Sequence, residues 1–234
     1  MDDGQIRIGA AATYDDVHDE LARVSPDLGE LIRRIGGPQV RGSGTICGNI
    51  ANGSPIGDMP PALIALGADL HLRKGDATRI LALEDFFIEY GRQDLSPGEF
   101  VEAVSFAAPA THSDFACYKI SKRFESDISA VMAAINVVAT DSRITSVRIA
   151  FGGMAGTPKR ALATETALLG APVAQASFAA AAEKLRDDFA PLSDLRGTSE
   201  YRLLTAKRLL QRYAIERLSP DVPTRLVGRE AVLA

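Results

Sequence analysis

An α+β fold in two modules is what this sequence predicts, and three patterns carry that prediction. In the first half, short strand-like stretches at 5–10, 68–73, 79–83 and 100–107 alternate with short helical ones. In the second half, two runs rich in β-branched and small residues, 129–140 and 144–151, come first. Helical runs at 161–169, 178–189 and 200–217 follow them. Residues 109–113 read as the boundary between the two.

Each element has a local cause. Ile6 and Ile8 share one face of the first strand, which has no earlier element to pair with, so the chain is expected to begin inside a larger architecture. Thr13 can N-cap a helix carrying Val17, Leu21 and Val24, and Pro26 ends it. A second short helix carries Leu28, Leu31, Ile32 and Ile35 and stops at Gly36-Gly37-Pro38. Asp58 is expected to cap the next helix, whose first turn holds Pro60 and Pro61, where missing amide hydrogens cost little. That helix runs through Leu63, Ile64 and Leu66 to Gly67. Lys74-Gly75-Asp76 turns one strand into the next, and 84–90 reads as helical, ending at Gly91. Asp141-Ser142 separates the two later strands as a hairpin turn. Gly152-Gly153 and Gly156-Thr157-Pro158 break the chain, and Ser177 and Ser199 stand before the last two helices. Residues 219–234 hold two prolines and no clear period, and read as a tail.

Composition narrows the function. The 234 residues are 46% hydrophobic and 24% charged, an ordinary globular balance. A net charge of −4 offers no broad basic field to nucleic acid or to a membrane surface. Two cysteines cannot ligate a four-cysteine zinc or iron–sulfur site, and the three histidines have no metal-ligand spacing, so no metal site is expected. The acidic N-terminus is unlike a signal peptide, and the longest apolar run, 128–139, is too short to span a bilayer as a helix. A soluble, reducing, cytoplasmic setting is the expectation.

Chemistry concentrates in one segment, 42–58, which contains Gly42, Ser43, Gly44, Thr45, Cys47, Gly48, Asn49, Asn52, Gly53, Ser54 and Gly57. Glycines let backbone amides approach an anion, Thr45, Asn49 and Ser54 add hydrogen bonds, and Asp58 can accept from a ribose or ribityl hydroxyl. The spacing is neither G-x-G-x-x-G nor a P-loop. A ligand cradle and a tight structural loop both remain open. Lys119 and Arg123 could face a phosphate or an electron-rich ring, or simply form a solvated basic face. Cys47 could be a reactive thiol or a small buried side chain, whereas Cys117 reads as core. His18, His71 and His112 read as surface or strand residues, and no histidine near Ser54 and Asp58 supports a hydrolase triad.

The series Thr45-Ile46-Cys47-Gly48-Asn49-Ile50-Ala51-Asn52-Gly53-Ser54-Pro55-Ile56-Gly57-Asp58 resembles the second flavin-binding loop of molybdenum hydroxylases. The resemblance continues at Tyr118-Lys119-Ile120-Ser121-Lys122-Arg123, Asp127-Ile128, Ile149-Ala150-Phe151-Gly152-Gly153-Met154 and Leu195-Arg196-Gly197 with Tyr201-Arg202. It covers residues 5–217 and is strongest toward the FAD-binding small or medium subunit of bacterial xanthine dehydrogenase. It implies the second subdomain of a vanillyl-alcohol-oxidase-like FAD-binding domain over 1–110. An α+β domain (a small antiparallel sheet with helices) is implied over 113–218, like the C-terminal domain of carbon monoxide dehydrogenase flavoprotein, with a tail at 219–234. It further implies FAD as cofactor and electron flow from iron–sulfur clusters to FAD and on to NAD. The implied partners are a molybdenum-binding large subunit and an N-terminal iron–sulfur/FAD segment. Carried over by position, Thr45, Ile46, Cys47, Gly48, Asn49 and Ser54 would line the FAD phosphates and ribityl chain. Asp58 would hold a hydroxyl, Ile35 would pack near the cofactor, Val101 would lie beside the adenine or ring region, and Lys119 would lie near the flavin. Cys47 stands where such subunits often have glycine. Their earlier Val-x-Gly-x-Thr-type loop has no counterpart in this sequence, so the chain is expected to correspond to the C-terminal half of such a subunit. The other reading is a structural or interaction module that does not hold FAD alone.

Overall fold

The computed structural model describes residues 4–109 and 113–224. The first half contains β1 (Gln5–Gly9), α1 (Tyr14–Val24), α2 (Pro26–Arg33), α3 (Pro38–Arg41), α4 (Ile46–Ala51) and α5 (Met59–Ala65). It continues with β2 (Asp69–Lys74), β3 (Ala77–Ala82), a 3₁₀ turn, β4 (Phe87–Glu89), β5 (Arg92–Gln93) and β6 (Phe100–Ala107). The second half contains β7 (Ser113–Ile120), β8 (Val131–Thr140), β9 (Arg143–Gly152) and β10 (Lys159–Arg160). Its helices are α6 (Leu162–Leu168), α7 (Gln175–Ala182), α8 (Leu185–Asp188) and α9 (Ser199–Leu218). One sheet has the order β1-β6-β2-β3, the other β10-β9-β8-β7, and β4-β5 is a small separate hairpin. Among the described residues every named strand pairs antiparallel.

Most start and stop signals act as expected. Thr13 and Asp16 form a capping box on α1, and Ser25 both ends α1 and caps α2, whose first residue is Pro26. Asp141 and Ser142 adopt φ of 50° and 61°, the left-handed pair that a two-residue hairpin needs between β8 and β9. Four expectations are corrected. β1 has a partner: it runs along β6, with Ile8 opposite Val104. The stretch 84–90 is a 3₁₀ turn, capped by Phe86, followed by β4, because Phe87 and Ile88 favour extended backbone and Gly91 (φ 74°) turns the chain into β5. The run 178–189 is two helices, α7 and α8. The break lets Asp188 reach α6, whose N-cap residue Ala161 has no capping oxygen, and accept from the amides of Ala163 (2.7 Å) and Thr164 (3.0 Å). Finally, Thr198 and not Ser199 caps α9, accepting from Tyr201 N.

The second sheet is covered on both faces, which explains why 128–139 is almost continuously apolar. Phe115, Cys117, Met132, Ala134 and Ala150 join the core of the first half. Ala116, Tyr118, Val131, Ala133, Ile135 and Phe151 face the core built by α6, α7, α8 and α9. Helix α5 fills the space between the sheets, and all seven of its residues are buried. The outer edge of β7 would be an open row of donors and acceptors. Side chains from two helices and the turn after α2 close it: Asp27 of α2 accepts from Cys117 N (2.9 Å), Arg34 just after α2 donates to Lys119 O (2.9 Å), and Arg217 of α9 donates to Phe115 O (3.1 Å).

A polar network also joins the halves. Glu84 accepts from Arg160 (2.8 Å) and from Arg148, which donates to Ile64 O as well (2.9 Å). Glu84→Gln is expected to lower the unfolding free energy by about 2 kcal/mol, because two charge-assisted bonds lose their acceptor charge. Arg23→Ala, which breaks an exposed pair with Glu20, is expected to leave it nearly unchanged. Urea titrations of both variants measure the difference.

Candidate cofactor site

The glycine-rich segment folds around α4, a short helix and not a continuous loop. Thr45 is its N-cap, and its hydroxyl accepts from Gly48 N at 2.9 Å. A Cβ on Gly48 would stand 2.8 Å from that hydroxyl, so the capped turn excludes a side chain there. Ile46, Cys47 and Ile50 are buried in the core of the first half, so α4 turns its apolar face inward and leaves Gly48 and Asn52 exposed. Asn49 Oδ1 is enclosed and has no hydrogen-bond donor among the described residues. Ser54 closes the next turn, its hydroxyl accepting from Ile56 N (3.4 Å) and its carbonyl from Gly57 N (3.1 Å).

Asp58 does not cap α5. A capping carboxylate accepts from the amides of the second and third helical residues, and here those are Pro60 and Pro61, which have none. The carboxylate is left free to turn elsewhere. Lys119 Nζ donates to its Oδ2 at 2.6 Å and to Ser129 Oγ at 2.8 Å, while Ser129 Oγ donates to Asp58 Oδ1 at 2.5 Å. The side chains of Lys119 and Asp58 are only 3% and 9% exposed, so this is a buried ion pair with a bridging hydroxyl. Lys119 is thus part of a buried triad and not of a solvated basic face, whereas Arg123 is exposed. Tyr14 stands nearby: burial, and then the negative charge of Asp58, raise its phenol above the usual range. Its amide donates to Gly44 O (3.0 Å), and its ring lies against the place a Gly44 side chain would take.

The second half closes onto this segment through glycines. Gly153 N donates to Pro55 O at 2.7 Å, and a Cβ on Gly152 would meet Pro61 at 3.2 Å and Gly57 O at 3.4 Å. Buried Arg202 of α9 holds the same corner, donating to the carbonyls of Ala130 and Gly153 and to Asp194 (2.6 Å). This accounts for the paired motifs at 152–153 and 195–202.

The remaining sequence-selected residues lie as follows. Cys47 is buried with its thiol toward Ile8 O (3.6 Å), and burial pushes that thiol up to about 11. Ile35 is half-buried, packed against the first-half core just after α2. Val101 is buried on β6 opposite Leu72, in the core of the first sheet. Cys117 is core, His71 bonds Ser105 (2.7 Å), His18 lies beside exposed Asp19, and His112 lies outside the described residues. Tyr14 and Ser129 were not selected from the sequence. Only the Asp58-Met59-Pro60-Pro61 string, which frees a carboxylate, could have pointed toward such a cluster. Among the described residues no group of three or more histidine, cysteine or acidic side chains is placed to hold a metal ion, and no helix is long and apolar enough to cross a membrane.

Residues 1–109 match the family described as the FAD binding domain in molybdopterin dehydrogenase, and residues 116–217 match the CO dehydrogenase flavoprotein C-terminal domain. The carbon monoxide dehydrogenase medium chain of Afipia carboxidovorans is 32% identical over 85% of this chain and 68% of its own. The chain belongs to the family of FAD-binding subunits of molybdenum hydroxylases. Another member of that family, the putative xanthine dehydrogenase FAD-binding subunit of Escherichia coli, is 30% identical over 86% of this chain and 70% of its own. The fold agrees: carbon monoxide dehydrogenase from Hydrogenophaga pseudoflava superposes with a TM-score of 0.85 at 28% identity, covering 91% of this chain and 74% of that one. Quinoline 2-oxidoreductase from Pseudomonas putida superposes at 0.81 with 27% identity, covering 92% and 75%.

Two outcomes test the site as built. Lys119→Met is expected to destabilise the fold by about 3 kcal/mol, because it strands a buried carboxylate, and Asp58→Asn in the same chain is expected to recover part of the loss. Chemical denaturation of the single and double variants reads this. At pH 8, three units below the Cys47 pKa of about 11, only about one thiol in a thousand is ionised. Iodoacetamide is therefore expected to leave Cys47 of the native chain unlabelled and to label it once urea unfolds the protein, as peptide mass spectrometry would show.

Proposed function

We propose that this chain is the FAD-binding portion of a xanthine-dehydrogenase-like molybdenum hydroxylase. In this reading electrons arrive from iron–sulfur clusters, reach FAD and pass on to NAD. The observation that carries it is the meeting of Asp58 and Lys119, 61 positions apart in sequence, which the family resemblance assigns separately to the cofactor. The residues present suit FAD in three respects. Asn49 Oδ1 is an enclosed acceptor awaiting a donor, of the kind a ribityl hydroxyl supplies. Gly48 leaves bare backbone at the exposed turn of α4. Asp58 accepts two hydrogen bonds from protein and has lone-pair capacity for a hydroxyl.

In this reading Thr45, Gly48, Asn49 and Ser54 shape the phosphate and ribityl side, and Ile46 and Cys47 anchor α4 from beneath. Asp58 orients a hydroxyl, and Lys119 holds the Asp58 side chain in place. Ile35 packs near the cofactor, and Val101 supports the sheet behind a ring. FAD when bound supplies the redox chemistry, and the chain supplies orientation and charge. Residues 1–110 and 113–218 act as two domains and 219–234 as a tail, a division supported by the two separate sheets. The partners are a molybdenum-binding large subunit and an iron–sulfur/FAD segment that completes the cofactor pocket. A cytoplasmic setting is supported by two free, buried cysteines.

A second reading is a structural module that holds no FAD alone. It is favoured by the self-satisfied state of the triad, in which both carboxylate oxygens of Asp58 already have donors. Titrating the purified chain with FAD, followed by flavin fluorescence and co-elution, separates the two. Binding that weakens at least tenfold in Asp58→Ala and severalfold in Asn49→Ala, with folding verified by circular dichroism, supports the first. No binding at high micromolar FAD overturns the claim that this chain is a flavoprotein by itself. Flavin retention unchanged in Asp58→Ala removes Asp58 from the site.

A further inference from the structure

A cavity of about 420 Å³ opens at the free edge of β7, between α2 and α9, beside the Asp58 triad. Its lining includes Arg34, Lys122, Arg123, Arg212 and Phe124, with Glu30 the one acidic side chain among the described residues. Most of these charges are spent locally. Glu30 pairs with Arg33 (2.7 Å), Arg212 with Glu216 (2.9 Å), and Arg123 with Asp127 (3.6 Å). Lys119 also reaches the lining, but its amine is turned into the Asp58 triad.

Arg34 and Lys122 differ from the rest. Arg34 donates to Phe124 O (3.0 Å) and Lys119 O (2.9 Å), with a long contact to Ser121 Oγ (3.4 Å). Lys122 Nζ donates to Leu195 O (2.7 Å). All these acceptors are neutral, and among the described residues neither cation forms an ion pair. Carbonyl anchors therefore hold both cations in place without cancelling their charge. Burial is the largest influence on the Arg34 guanidinium and lowers its pKa, while Glu30, Asp58 and Glu125 oppose that shift only through space. Phe124 packs under that guanidinium, 4.8 Å from ring centroid to Cζ, yet stays 46% exposed. The loop that carries it also holds Ser126 at φ 52°, a left-handed angle that serine seldom adopts.

We propose that this cavity is a binding site for a phosphate-bearing anion, held by Arg34 and Lys122, with Phe124 as a platform for an attached ring. Two separately anchored cations suit a diphosphate better than a single phosphate, since each can take one phosphoryl group. The site stands apart from the flavin reading, because its cations lie outside the 42–58 segment and the Asp58 triad.

Isothermal titration of the full chain with orthophosphate, pyrophosphate and ADP tests it. Pyrophosphate is expected to bind more tightly than orthophosphate and to weaken as salt is raised. Lys122→Gln and Arg34→Gln are each expected to weaken it by about tenfold, the usual cost of one charged hydrogen bond. Arg34 also ties α2 to β7, so Lys122→Gln, whose side chain contacts only a surface carbonyl, keeps the test independent of folding. Exposed Lys74→Gln is the control and is expected to leave the affinity unchanged. ADP binding more tightly than pyrophosphate identifies a nucleotide that uses Phe124, and equal affinities identify a free diphosphate. Undetectable pyrophosphate binding at millimolar concentration, or equal affinity in Lys122→Gln and Lys74→Gln, overturns the proposal. So does loss of pyrophosphate binding in the presence of saturating FAD, which would place the anion in the flavin site.

Discussion

Everything in this molecule is arranged around a buried ion pair that it cannot break cheaply. Asp58 and Lys119 come from different halves of the chain and meet out of water, with Ser129 bridging them. Desolvating two opposite charges is tolerable only when they sit at contact distance and their remaining donors and acceptors are met. That requirement fixes the start of α5, the end of β7 and the approach to β8 relative to one another. The close glycine contacts at 152–153 and the clasp of Arg202 then follow, because the second sheet has to descend onto α5 for Lys119 to reach its partner.

The same seam solves the exposed edge of β7. An unpaired strand edge invites pairing with another chain. Here three charged side chains from α2, the turn after it and α9 satisfy its main-chain groups individually. A helix in place of a further strand means that the seam is cemented by side-chain chemistry and not by a continuous ladder. It also leaves room beside the edge, and the cavity that holds Arg34 and Lys122 lies in that room.

Much of this was legible from residues in order. Local signals such as the Thr13–Asp16 box, the Gly67 stop and the Asp141-Ser142 turn act over a few residues and read correctly. The 42–58 segment stood out by composition, and its Asp58 lies in the site. What could not be read depends on partners distant in the chain. β1 looked unpaired because β6 comes so much later, and Asp188 caps a helix that precedes it. Lys119 looked like part of a surface run because no sequence window contains Asp58 with it. Stretch 84–90 misled for another reason: its apolar spacing suits a helix, but Phe87, Ile88 and a glycine at positive φ make a hairpin.

The pairing of β1 with β6 also sets a timetable. Ile8 and its partner Val104 lie at opposite ends of the first half, so this sheet cannot close until the two ends of that half meet. Closing so wide a loop is slow, whereas the β8–β9 hairpin needs only a two-residue turn. The first half is therefore committed last at its own beginning. Until then β1 waits as a loose end without its partner strand.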